Sequence, residues 1–128
     1  MNNELKGYVV RNVEFRNSIT GEETMNLCSK VDSVVNYMET SSECVCKLSL
    51  DIRNVGNPEL LVCKFTIEAV YSFNTGDNKQ GIHNNVSKMT FTLGKAMVHA
   101  LCGVVGIPLI MVPEVDFDRV QAVISNSQ

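Results

Sequence analysis

Five cysteines, two histidines and one close pair of aspartates are the residues through which this sequence could do chemistry, and their spacing decides which chemistry that would be. Cys44 and Cys46 flank Val45. Residues two apart on a strand share a face, so both thiolates could reach one metal ion or take part in a redox exchange. The same positions continue an apolar face through Leu48 and Leu50, Cys63 sits on the corresponding face of the next apolar run, and no histidine is near in sequence. Free cysteine is among the most buried residue types, so this pattern favours core packing over a metal site. A thiol paired with His83 or His99 would supply a nucleophile and a base, yet nothing in the sequence places either imidazole beside a sulfur. His83 falls in a polar stretch and His99 on the least apolar flank of a helical segment, positions that suit solvation or an interface. Gly94-Lys95 could end a phosphate-binding loop, but Met89 stands where that loop needs its first glycine, and Ala96 stands where Ser or Thr would hold magnesium. Asp116 and Asp118 could form a carboxylate pair, though alternate carboxylates at a helix start commonly serve capping and the helix dipole. No catalytic residue, metal or cofactor is expected.

The elements that must position these residues read as follows. Val9, Val13 and Phe15 share one parity and Asn12, Glu14 and Arg16 the other, which predicts a first strand from Val9 to Arg16 with the former set inward. Asn17 to Thr24 is a polar crossing loop. A second strand from Leu27 to Tyr37 puts Leu27, Val31, Val35 and Tyr37 on one face, and a turn over Glu39 to Glu43 follows. The third strand, Cys44 to Arg53, alternates cleanly, with Cys44, Cys46, Leu48, Leu50 and Ile52 inward; Asn54 to Pro58 turns the chain. The fourth strand, Leu60 to Phe73, carries Cys63, Phe65, Ile67, Ala69, Tyr71 and Phe73 on one face. Asn74 to Asn85 reads as a mobile polar loop, and Ser87 to Val105 as a helix. That helix is apolar or small around most of its circumference, which calls for cover on two sides, one expected from the sheet and the other from another subunit. Leu109-Ile110-Met111-Val112, between Pro108 and Pro113, is an apolar connector, and Asp116 can cap a short final helix with Phe117, Val120, Val123 and Ile124 as its stripe, ahead of a four-residue polar tail. The architecture is α+β.

The composition narrows the function classes. The chain has 128 residues, 45% hydrophobic and 20% charged, with 14 acidic against 11 basic side chains and a net charge of −3, which is one domain with a core large enough to need no staple. An acidic balance without a run of Lys or Arg gives no footprint for a phosphate backbone, so no nucleic-acid partner is expected. No apolar run reaches the ~18 residues of a membrane span, and five cysteines without a leader segment suggest free thiols and a cytoplasmic location.

With the elements in order, the chain resembles the SecB-type export chaperones from Gly7 to Val123. Tyr8-Val9-Val10-Arg11-Asn12-Val13-Glu14-Phe15 is similar to that family's first strand, and Leu61-Val62-Cys63-Lys64-Phe65 with Tyr71-Ser72 to its fourth. Phe91 and Lys95 keep the family's helix spacing, Gly106-Ile107-Pro108 follows, and Val115-Asp116-Phe117-Asp118 is close to the family's Val-Asn-Phe-Asp. The resemblance implies a four-stranded antiparallel sheet, then the long helix, the proline-bounded connector and the short C-terminal helix, in one domain over residues 1–128. It also implies an ATP-independent holdase that takes unfolded polypeptides or preproteins into apolar grooves, assembled as a homotetramer that is a dimer of dimers.

On that resemblance the client surface would comprise Leu109, Ile110, Met111 and Val112, Phe117 from the short helix, and Met25 and Leu27 from the crossing segment. Gly94, Val98 and Cys102 would pack across the interface between dimers. Two departures matter. Lys64 stands where the family has a Glu used to dock the translocase ATPase, a reversed charge that should repel that partner, and Glu114 displaces the second proline from Val115. A dedicated chaperone of one partner such as an antitoxin, and a β-rich assembly or ligand-binding protein without an export role, are the alternatives.

Overall fold

In the computed structural model the described residues are 2–20, 26–57, 59–105 and 124–126, of which 102–105 and 124–126 are described by backbone alone. Five strands, β1 (Leu5–Asn17), β2 (Leu27–Met38), β3 (Glu43–Asn54), β4 (Leu61–Ser72) and β5 (Ile124–Asn126), form one sheet in the order β1-β4-β3-β2-β5, and the helix α1 (Lys79–Val105) lies across one face. The first four strands pair antiparallel, as expected, and β5 runs parallel to β2.

The alternation in β3 and β4 is the source of the core. Cys44, Cys46, Leu48, Leu50 and Ile52 face Tyr71, Ala69, Ile67, Phe65 and Cys63 in register, and all ten are buried beneath α1. Helix residues Ile82, Val86, Phe91 and Val98 close the core from above. At the far end of the β3–β4 turn, Gly56 holds φ +89°, a left-handed conformation that glycine adopts without a Cβ penalty.

Three expectations are corrected. Val9 and Val13 do not share a face with Phe15: the register steps from Arg11 opposite Thr66 to Glu14 opposite Lys64, so one extra residue sits in β1, and Asn12 takes φ 57°. That bulge reverses the parity, leaving Val9 and Val13 exposed while Val10 and Phe15 pack against the core. The helix begins at Lys79, inside the stretch read as a mobile loop. Asn78 caps it, its side-chain oxygen accepting from the Gly81 N–H at 3.1 Å, and Gln80 donates to Asn84 one turn on at 2.8 Å, so Asn78, Gln80 and Asn84 serve as a cap and a side-chain pair along the helix, while His83 of the same stretch is buried. Ile124 to Asn126, read as helix end and tail, pair instead with Val35 to Tyr37. The connector and the short helix lie outside the described residues.

Candidate functional site

An edge strand offers backbone N–H and C=O groups to any chain that can lie alongside it. β2 is such a strand: β3 pairs with its whole length, but on the other side β5 reaches only Val35 to Tyr37, and among the described residues no strand pairs with the edge over 27–34. Along this stretch the side chains toward the helix are Leu27, Ser29, Val31 and Ser33, in the same register as the buried Val35 and Tyr37. Leu27 is 37% exposed and Val31 partly so, and Val55, at the turn beside Leu27, is 54% exposed. Leu27, Val31 and Val55 thus leave an apolar flank partly exposed at this end of the sheet, and Met97 and Leu101 of α1, also only partly buried, pack against the same core cluster as Val31.

The other end of β2 is held firmly. The Ser33 hydroxyl lies 2.7 Å from that of Ser87 and 3.5 Å from the Cys46 sulfur, and the Tyr71 hydroxyl lies 2.8 Å from that of Thr90. Tyr37 donates to the Lys79 carbonyl at 3.0 Å, tying the start of α1 to β2. The Tyr71–Thr90 pair is buried and the others are partly buried, and satisfied polar pairs in such surroundings fix one arrangement of helix on sheet. Edge, apolar flank and anchored end together offer main-chain hydrogen-bonding groups and apolar surface side by side, the two things that pairing with an extended segment uses.

Burial removes three of the thiols from any chemistry at this site. Cys44, Cys46 and Cys63 are fully covered, which matches the core-packing reading. Burial first, and then the neighbouring Cys46 and Glu43, push the Cys44 thiol up to about 12; burial also raises Cys46, against hydrogen bonds from Ser33, Thr90 and Ser87. Cys28 alone of the described cysteine side chains is exposed, on the outer face of the sheet, where it lines a cavity of about 290 Å³ with Lys30, Asp51 and Arg53. His83 is buried rather than solvated, and neither ring nitrogen has a hydrogen-bond partner. His99 is exposed. Among the described residues no group of three or more His, Cys, Asp or Glu side chains is placed to hold a metal, and no helix is long and apolar enough to cross a membrane.

Of the residues expected to form the client surface, Leu27 lies on the open flank, whereas Met25, Leu109, Ile110, Met111, Val112 and Phe117 lie outside the described residues. The expected interface residues are placed differently. A Cβ on Gly94 would lie 3.8 Å from Ile67 and 3.9 Å from Leu48 and Leu50, and Val98 is 0% exposed, so both face the chain's own sheet and are covered before any partner arrives. The side chain of Cys102 is outside the description. The exposed flank of α1 carries Thr92, Ala96 and Ala100 instead. Lys64 is exposed on the sheet face away from α1, opposite Glu14 on one side and Asp51 on the other. Val31 and Val55, beside Leu27, do not stand out in the sequence as site residues, because alternation does not say which strand is an edge.

No protein-family model and no curated protein matches the chain. Among solved structures it is similar to the SecB-like chaperone Rv1957 of Mycobacterium tuberculosis, in complex with a ChAD peptide from the antitoxin HigA1 (Rv1956), at 12% identity and a TM-score of 0.63. The match covers 87% of this chain and 86% of that one. The sheet of four antiparallel strands crossed by one long helix is therefore the SecB-like fold.

Proposed function

We propose that this protein is an ATP-independent chaperone that holds extended, apolar segments of non-native polypeptides along the open edge of β2. The observation that carries the reading is the apolar flank there: Leu27 and Val55 are exposed and Val31 partly so, beside a stretch of β2 that no described strand covers. Burying such surface at ~25 cal/mol/Å² needs no particular client sequence, and it needs no nucleotide. Met25, Leu109, Ile110, Met111, Val112 and Phe117 would extend the groove on the same reading, and repeated sites in a homo-oligomer, a dimer of dimers, would add avidity. The exposed flank of α1, with Thr92, Ala96 and Ala100, is the helix surface best suited to a neighbouring subunit, since small residues allow close approach. The protein would work in the cytoplasm and would not be an enzyme.

A second reading, a dedicated chaperone of one partner, is favoured by Lys64 and by the antitoxin peptide held by the similar structure. A cation at that point of the outer face would oppose docking of an export ATPase through acidic residues. The test for holding is binding of a permanently unfolded protein, reduced and carboxymethylated, followed by fluorescence anisotropy. Leu27→Asp places a charge on the flank at an exposed position and is expected to weaken binding about tenfold, with the folded state intact by circular dichroism. Equal binding by wild type and this variant would remove the site from β2.

A further inference from the structure

The edge of β2 that no described strand covers has two sides, and the one facing away from α1 carries two charged residues that no ion pair among the described residues includes. Lys30 stands opposite Asp51 of β3, but Asp51 accepts from the Arg53 Nε at 2.7 Å. Asp32, two residues on, stands opposite Ser49. Both Lys30 and Asp32 are exposed, and no ion pair among the described residues includes either. A strand laid along 27–34 would alternate as β2 does, so one set of its side chains would lie beside Leu27 and Val31 and the other beside Lys30 and Asp32. The chain already uses this edge in that way, since β5 joins it over Val35 to Tyr37.

We propose that the edge of β2 selects an extended segment that is apolar on alternate residues and carries, on its other side, one acidic and one basic residue two positions apart, which pair with Lys30 and Asp32. The inference rests on the holding function above and names the class of segment held best. Exposed ion pairs contribute little to affinity, whereas like charges side by side on neighbouring strands oppose pairing, so the effect is a ranking among segments of equal apolar content.

Three short fluorescein-labelled peptides test it, identical in their alternate valine and isoleucine residues and differing only in the outward pair: Glu and Lys, Glu and Glu, or Lys and Lys. By anisotropy at low salt the mixed pair is expected to bind about three- to tenfold tighter than either like-charged peptide. In Lys30→Glu the preference should move to the two-lysine peptide, and in Asp32→Lys to the two-glutamate peptide. All three rankings should flatten in about 1 M salt, where the Debye length is about 3 Å. Binding with the same ranking in wild type and both variants overturns the proposal and leaves holding in place. Failure of all three peptides to bind, while the carboxymethylated protein is still held, also overturns the edge as the docking site. Failure of both probes overturns the holding function itself.

Discussion

Cys28 and Cys44 bear the same thiol in surroundings that call for opposite behaviour. Cys28 is exposed, whereas Cys44 is fully buried with its thiol pushed up to about 12, chiefly by burial. Iodoacetamide applied to the native protein near neutral pH should label Cys28 and spare Cys44, Cys46 and Cys63, with labelling of all of them once the chain is unfolded, as read by peptide mass mapping. Labelling of Cys44 at the rate of Cys28 would contradict the placement of the core. The same burial sets an alkaline limit. Cys44 rises from 9.0 and Tyr37 from 10.0, each to about 12 in the folded state. A raised folded value contributes stability that is fully present below the unfolded value and lost as pH rises through the folded one. Urea midpoints should therefore fall as pH climbs from about 9 toward 12. A constant midpoint over that range would contradict the burial of these two groups.

At the scale of elements, the bulge in β1 shows how one residue redirects a strand. Asn12 holds φ 57°, and Asn tolerates that region better than branched residues do. Asn12→Val should cost on the order of 1–2 kcal/mol in denaturant unfolding and Asn12→Gly close to nothing, whereas equal costs would mean the bulge is not required. This bulge is also why β1 was misread. Period-two alternation finds β3 and β4 because both faces of those strands keep one register throughout, but a single inserted residue is silent in the alternation of one chain. The early start of α1 was hidden by a cap and a polar side-chain pair, and Gln80, Asn84 and Asn85 read equally well as a loop. β5 has three residues, and Ile124 fits a helical stripe as well as a strand; only the edge of β2 makes it one. The family resemblance puts Gly94 and Val98 at an interface between dimers. They do pack closely, but on their own sheet. Leu27 was legible from its parity in β2, while its exposure follows from the strand order, which no local pattern carries.

Among the described residues the core is built on one face of the sheet, and at one end of it apolar side chains are left partly exposed. The closed part lies under the first half of α1, where Tyr37, Ser33 and Tyr71 tie helix to sheet. The partly exposed apolar flank is that of Leu27, Val31 and Val55 at the start of β2. An apolar flank next to a strand edge that no described strand covers is what the proposed holding of another chain by burial and main-chain pairing requires, and nothing in that process consumes nucleotide. The most direct test dilutes a chemically denatured, aggregation-prone protein into buffer without ATP and follows light scattering with and without this protein. Suppression at near-stoichiometric amounts is the predicted result, lost in Leu27→Asp. Undiminished scattering in the presence of the well-folded protein would contradict the holding function.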